Sequence, residues 1–196
     1  HIVPPIENIG SGPSGLTYYP GTGLPDRYTN YFFMCDFRGD PNNSLIHAIQ
    51  VDEEGAGFMI ADRHDFVNQM LVTDCDFGMD GGMYATDWVA GWDKPKKGRI
   101  YRIAEPGVED RPEVKETKAL LAAGMTQRSI EDLATLLGHV DMRVRNEAQF
   151  ALADHGLKAV AAFKQAGASE DQFTRLHGVW GLWQLLIAGD IDGQEL

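Results

Sequence analysis

The stretch that most constrains the fold of this chain is residues 71–103, which reads as three consecutive β-strands. The first predicted strand, 72–77, is followed by an Asp-Gly turn, and Asp-Gly supplies the positive φ that a tight hairpin needs. The second, 83–88, is rich in aromatic and β-favouring residues. The third, 99–103, alternates between two faces. This arrangement is typical of most of a β-propeller blade, which normally has four strands.

The chain before this stretch repeats the same pattern of apolar runs and turns. Its predicted strands are 14–19, 31–37, 45–51 and 58–63. The last two form a hairpin around residues 52–55. We therefore expect residues 1–104 to be a partial β-propeller of about two antiparallel blades. Because a closed propeller needs at least four blades, the remainder would come from another protein chain or from further copies of this one.

Near residue 105 the apolar period changes from two to 3.6, which predicts a linker at 105–111 and a helical domain at 112–196. The predicted helices are 114–123, 129–137, 142–153, 157–165 and 172–187. Residues 145–152 align without gaps to residues 175–182, an offset of 30 residues. A helix pair that repeats at this period predicts a HEAT-like α-solenoid.

Charge and hydropathy exclude two classes of partner. The net charge is −12 and the pI is about 4.8, so we expect neither nucleic acid nor an anionic membrane surface as a partner. No apolar run approaches the ~20 residues that cross a bilayer, so no transmembrane segment is expected. The chain opens on His1, and we expect a processed chain or an excised piece.

The two cysteines each lie inside a predicted strand. Cys35 and Cys75 belong to no CxxC or CxxCH pattern, which excludes a zinc knuckle or a covalently attached haem. Two interpretations stay open: both residues are small buried apolar side chains, or they form a disulfide between neighbouring strands.

Propeller topology brings several polar and aromatic residues to one rim, because the loops before inner strands and after second strands open on the same face. The candidate ligand residues there are Asp36, Arg38, Asp74, Asp87 and Trp88, accompanied by Ser14, Asn68 and Trp92. Carboxylates suit hydroxyl groups or a cation, a guanidinium suits an anionic group, and an indole stacks on a sugar ring. The alternative is that the carboxylates bond loop amides and cap turns. No catalytic residue and no metal site is assigned.

Six segments carry a family resemblance. SGPSGLTYYPG (11–21), YFF (31–33) and TDCDFGMDGGMY (73–84) resemble the late blades of glucose/sorbosone dehydrogenase-like propellers. CDFRG (35–39) and DWVAGW (87–92) resemble more closely the large membrane-bound dehydrogenase proteins of planctomycetes, which join such a propeller to HEAT repeats. DMRVRNEA (141–148) is similar to the HEAT-type repeat of those proteins.

The resemblance implies a C-terminal fragment or subunit of a PQQ-dependent sugar (aldose) dehydrogenase-like oxidoreductase, located in the periplasm or outside the cell. PQQ and Ca²⁺ are implied by the resemblance alone. The family's catalytic His lies in an earlier blade that this chain does not contain, so we expect the chain to be inactive by itself. Two alternatives remain: a non-catalytic propeller/HEAT interaction module, with carbohydrate as a possible ligand, and a lactonase-like hydrolase, which shares the Asp-Gly-x-x-Tyr turn.

Overall fold

A computed structural model describes residues 5–92 and 96–193, with the strands preceding the helices. The chain forms two compact units. The sheet unit comprises His1–Tyr19 and Gly23–Arg111, and the helical unit comprises Pro20–Thr22 and Pro112–Leu196.

The first sheet of the sheet unit has four antiparallel strands in sequence order. They are β1 (Pro13–Tyr18), β2 (Tyr31–Asp36), β3 (Leu45–Glu54) and β4 (Gly57–Asn68). β3 and β4 are longer than predicted and are joined by a two-residue turn in which Gly55 has φ +59°. Only glycine adopts this conformation without steric cost.

The second sheet has three antiparallel strands, also in sequence order. They are β5 (Val72–Phe77), β6 (Met83–Asp87) and β7 (Arg99–Ile103). The predicted Asp-Gly turn joins β5 to β6: Gly81 has φ +76°, and Asp80 Oδ1 accepts a hydrogen bond from the Gly82 amide at 3.2 Å. Burial alternates along β6 with the period of two that the sequence predicts.

The two sheets share one apolar core. β1 lies beside β5, where Thr17 Oγ1 donates to Asp76 Oδ1 at 3.1 Å. β2 also faces β5, since the rings of Phe33 and Phe77 meet edge to face with centroids 5.6 Å apart. The buried core residues are Tyr19, Leu24, Tyr28, Tyr31, Phe33, Cys35, Ile46, Ala48, Met70, Val72, Cys75, Phe77, Met83 and Ala85.

The predicted partial β-propeller is wrong. The structure has one four-stranded and one three-stranded antiparallel sheet, and the described strands do not indicate a propeller. The sequence pattern misled because strand alternation and an Asp-Gly turn are properties of a single sheet. They carry no information on how sheets are arranged around an axis, and a propeller needs at least four of them.

Among the described residues, the helical unit has five α-helices, close to the predicted positions. They are α1 (Pro112–Ala123), α2 (Ile130–Leu136), α3 (Met142–Ala153), α4 (Val160–Gly167) and α5 (Gln172–Ala188). Side chains cap the starts of α2 and α3: Ser129 Oγ accepts from the Asp132 amide at 3.1 Å, and Asp141 Oδ1 accepts from the Arg143 amide at 2.9 Å. These side chains satisfy amide donors that a helix start leaves without intrahelical partners.

Glycines on α5 allow α4 to pack closely against it. A Cβ on Gly178 would come within 2.3 Å of the Gly167 nitrogen, and one on Gly181 within 2.1 Å of the Phe163 ring. The core around this contact contains Met125, Leu133, Leu137, Val144, Ala148, Ala151, Leu152, Ala153, Ala159, Phe163, Ala166, Leu182, Leu185 and Ile191.

The predicted HEAT-like α-solenoid is also wrong, because the structure shows five helices around one core and indicates no solenoid. The 30-residue similarity between 145–152 and 175–182 reflects two helices, α3 and α5, that present small and leucine side chains to the same core. A solenoid needs at least three stacked repeats, and two similar helices do not establish one.

Candidate functional site

Most of the candidate ligand residues from the sequence analysis lie at one edge of the sheet unit. In the strand ladders Asp36 pairs with Pro13 and Leu45, and Asp87 pairs with Val72. The starts of β1 and β5 meet there, because Ser14 Oγ donates to the Val72 carbonyl at 3.4 Å. We call this place the polar edge and define it by Asp36, Phe37, Arg38, His47, Asp65, Asp87, Trp88 and Trp92.

Asp36 is a buried anion that organises the polar edge. Its Oδ1 accepts from the amides of Ser11 and Gly12 at 3.0 and 2.8 Å, and its Oδ2 accepts from Arg38 Nε at 2.7 Å and Nη2 at 2.6 Å. Burial raises the pKa of this carboxyl group, but the bonds from Arg38 and the two amides outweigh burial and lower the pKa to about 2. Asp36 is therefore ionised at neutral pH and fixes both the preceding loop and Arg38.

His47 extends this group, although the sequence analysis did not single it out. It lies on β3, which is buried on both faces at this point. Its Nε2 is 3.5 Å from Asp36 Oδ2, and its Nδ1 is 3.8 Å from Asp65 Oδ1. Both ring nitrogens are buried without a hydrogen bond. The signal that could have revealed His47 is a single imidazole within an apolar run, LIHAIQV.

Asp87 shapes the turn that presents Trp88. The buried Asp87 accepts from the Val89 amide at 3.0 Å, while the Trp88 amide donates to the Leu71 carbonyl at 2.9 Å. Val89 has φ +80°, and the Ala90 amide bonds the Trp88 carbonyl at 3.2 Å, which forms a γ-turn. A β-branched residue at positive φ is strained, and such strain collects at functional sites.

Three aromatic side chains form a cluster at the polar edge, which we call the aromatic triad: Phe37, Trp88 and Trp92. Phe37 lies between the two indoles, edge-on to Trp92 at 5.5 Å and to Trp88 at 6.5 Å. Trp92 is 74% exposed and Trp88 is 39% exposed. Gly39 makes room for Trp92, since a Cβ there would approach the indole Nε1 to 2.6 Å. The triad is an exposed apolar surface held in place by packing.

The Asp74 carboxylate accepts a hydrogen bond from the neighbouring backbone. Its Oδ1 accepts from the Cys75 amide at 2.9 Å and lies against Gly15 of β1. Of the accompanying candidates, Asn68 is exposed at the end of β4, opposite Leu45. Arg38, Asp36 and the two tryptophans thus have defined positions at the polar edge, and Asp74 lies at the β1–β5 contact.

The described residues do not fit the calcium and quinone that the resemblance implies. Within residues 5–92 and 96–193, no group of three or more His, Cys, Asp or Glu side chains is placed to hold a metal ion. PQQ carries several carboxylates, whereas the guanidinium of Arg38 is already paired with Asp36, and that of Arg99 lies 3.7 Å from Asp87. No chemical step is therefore assigned to either group.

Grooves lie on the described surface of the helical unit. One of about 540 Å³ is lined by Glu131, Ala134, Thr135, Ala162, Gln165, Ala166, Ser169 and Thr174. Another of about 320 Å³ is lined by Ala153, Asp154, His155, Gly156, Gln184, Leu185, Ala188 and Asp190. Both have mixed polar and apolar walls, and neither contains residues that the sequence analysis assigned to ligand binding.

A buried polar network crosses the helical unit between α3 and α5. His177 Nδ1 donates to Gln149 Oε1 at 2.8 Å, and Arg145 Nε donates to His177 Nε2 at 3.4 Å. Gln149 Nε2 in turn donates to Gln184 Oε1 at 3.1 Å. Burial and the charge of Arg145 lower the pKa of His177 to about 4. The imidazole is therefore neutral and structural.

This network predicts a loss of stability in mild acid. The unfolded chain takes up a proton at His177 below its ordinary pKa of about 6.5, while the folded chain does so only near pH 4. The free energy of unfolding should fall by up to about 3 kcal/mol across that interval. Urea unfolding as a function of pH measures this fall. His177→Gln should flatten it and His155→Gln should not; equal slopes for both variants would contradict the assignment.

Comparison of the chain with family models, with curated proteins and with solved structures finds no match. Among the described residues, no helix is both long and apolar enough to cross a membrane. The geometry of the polar edge is therefore the basis for the proposed function.

Proposed function

We propose that the sheet unit is a non-catalytic saccharide-binding module, in which a sugar ring stacks on the indoles of Trp88 and Trp92. The observation that carries this proposal is the exposed aromatic triad beside a rigid ion pair at one sheet edge. The C–H groups on the face of a sugar ring carry partial positive charge and pack well on an electron-rich π-face. Because Phe37 already holds both indoles, little side-chain entropy is lost when a ligand binds.

Arg38 supplies the polar half of the site. Its Nε and Nη2 bind Asp36, which leaves the remaining N–H donors of the guanidinium for hydroxyl oxygens of a ligand. The Arg38 side chain is 37% exposed, so a ligand can approach it. Asp36 itself is buried and accepts four hydrogen bonds, so its role is to position Arg38.

The same geometry supports binding without catalysis. His47 is the histidine of the polar edge, but both of its ring nitrogens are buried and face Asp36 and Asp65. A general base must come within hydrogen-bond reach of the substrate proton that it removes. The sugar-dehydrogenase resemblance agrees with a saccharide ligand and suggests a periplasmic or extracellular location.

Titration of the tryptophan fluorescence with neutral glucose, galactose and mannose oligosaccharides tests the proposal. We expect saturable quenching for at least one of these sugars, and Trp92→Ala should weaken that binding at least about tenfold, or roughly 1.4 kcal/mol. Trp183→Ala on α5 is the matched control, because this indole is also exposed (56%) but lies in the helical unit. No binding by the native chain, or equal weakening in both variants, would overturn the proposal.

A second assay separates binding from catalysis. The native chain, supplied with PQQ, Ca²⁺ and an aldose that it binds, should not reduce an electron-accepting dye. Steady dye reduction that depends on the protein would show that the chain is an enzyme and would contradict the non-catalytic role.

A further inference from the structure

Cys35 and Cys75 face each other across the two sheets. Phe33 and Phe77 pack ring against ring between β2 and β5, and each cysteine lies two residues farther along its strand toward the polar edge. Residues two apart on a strand share a face, so the cysteines form the next facing pair. Cys75 Sγ lies 3.9 Å from the carbonyl oxygen of Phe33, which is on the same strand as Cys35.

The backbone around the two cysteines is held close by other contacts. Gly15 of β1 pairs with Cys35 in the ladder, and a Cβ on Gly15 would come within 2.8 Å of the Asp74 Cα. The residue before Cys75 therefore packs directly against the strand beside Cys35. Ser14 adds a hydrogen bond to Val72 of β5. The two cysteines are thus brought together by the fold, without a bond between them.

We propose that Cys35 and Cys75 are a redox pair, which a small-molecule disulfide such as oxidised glutathione converts into a disulfide that joins the two sheets. One cysteine thiolate attacks the glutathione disulfide, forms a mixed disulfide and releases one reduced glutathione. The second cysteine then attacks the protein sulfur of that mixed disulfide and releases the second. The protein loses two electrons and two protons, and one oxidised glutathione becomes two reduced molecules.

The surroundings determine when this exchange takes place. Both side chains are buried in the core. The neighbouring thiol of Cys75, together with burial, raises the pKa of the Cys35 thiol, so the nucleophilic thiolate is scarce in the closed fold. Oxidation therefore proceeds during folding or through local opening of the sheets. The disulfide that results is protected by the same burial, as expected for a chain in an oxidising compartment.

Equilibration of the native chain in a series of glutathione redox buffers tests the proposal. Acid quenching followed by intact mass distinguishes the loss of two hydrogens from the addition of glutathione. We expect the folded chain to form the internal disulfide. The ratio of oxidised to reduced glutathione at half-oxidation should be at least about tenfold lower for the folded chain than for the chain in guanidinium chloride, because the fold raises the effective concentration of the thiols. Cys35→Ser and Cys75→Ser, each with one thiol, should show no loss of two hydrogens.

If a serine variant does not fold, the oxidised and reduced forms of the native chain can be compared instead. The oxidised form should unfold at a higher urea concentration than the reduced form, since the bond constrains the unfolded chain. Glutathione attached to either cysteine at equilibrium, two thiols that stay free in the most oxidising buffer, or disulfide-linked dimers would each overturn the proposal.

Discussion

Replacing Asp36 with alanine is expected to lower the free energy of unfolding of the sheet unit by about 1–3 kcal/mol, the usual range when a buried acceptor is removed and its donors lose their partner. The substitution leaves Arg38 without its counter-ion and the amides of Ser11 and Gly12 without an acceptor. Urea unfolding monitored by tryptophan fluorescence measures the loss. A change below about 1 kcal/mol would show that the carboxylate does not organise the edge.

Asp65→Ala is the matched control for this prediction. Asp65 lies on the other side of His47, at 3.8 Å, and its side chain is more than half exposed. Removal of an exposed carboxylate normally changes stability by less than about 0.5 kcal/mol.

Asp36 also makes the stability of the native chain depend on acid pH. Its contribution to the free energy of unfolding is complete above the unfolded pKa of about 3.8 and is lost as the pH falls toward the folded pKa of about 2.

Replacing Leu152 with alanine is expected to destabilise the helical unit by about 2–5 kcal/mol, the range for a buried leucine. Leu152 on α3 is fully buried, and Leu182 on α5 belongs to the same core with 8% exposure. Leu182→Ala should therefore also destabilise the unit, toward the lower end of that range. Truncation of either leucine removes dispersion contacts and leaves a cavity that the surrounding close-packed helices fill only in part.

Leu157→Ala separates burial from residue type, because Leu157 is 67% exposed. Its truncation should change the unfolding free energy by less than about 0.5 kcal/mol, as at other exposed sites. Far-UV circular dichroism in urea follows all three variants. Similar losses for Leu152→Ala and Leu157→Ala would mean that the helical core is not packed as the structure shows.

The polar edge was only partly accessible from the sequence. Asp36, Arg38, Asp87 and Trp88 were predicted to share a rim because of propeller topology, which is wrong. They lie at one edge because Asp36 pairs with Pro13, Asp87 pairs with Val72, and the starts of β1 and β5 meet there. Phe37 and His47 were missed, since their roles depend on what they meet: Phe37 separates the indoles of the aromatic triad, and His47 lies between two carboxylates. The sequence also could not show that Asp36 is fully buried.

What the sequence by itself determined is local. The period of two along residues 83–87, the period of 3.6 after residue 111, the Asp-Gly turn and the Ser129 cap each depend on residues a few positions apart. Those interactions are encoded wherever the segment lies, so strands and helices appear close to where they were predicted.

Only the tertiary structure decided how these elements associate. Contacts such as Phe33–Phe77 and Cys35–Cys75 join residues far apart in the chain, and no periodicity specifies which distant strand will cover an apolar face. The same apolar faces are compatible with blades of a propeller or with two sheets on one core, and with a solenoid or with five helices around one centre. Packing of specific side chains selects among these arrangements, because close-packed interiors accept few alternatives.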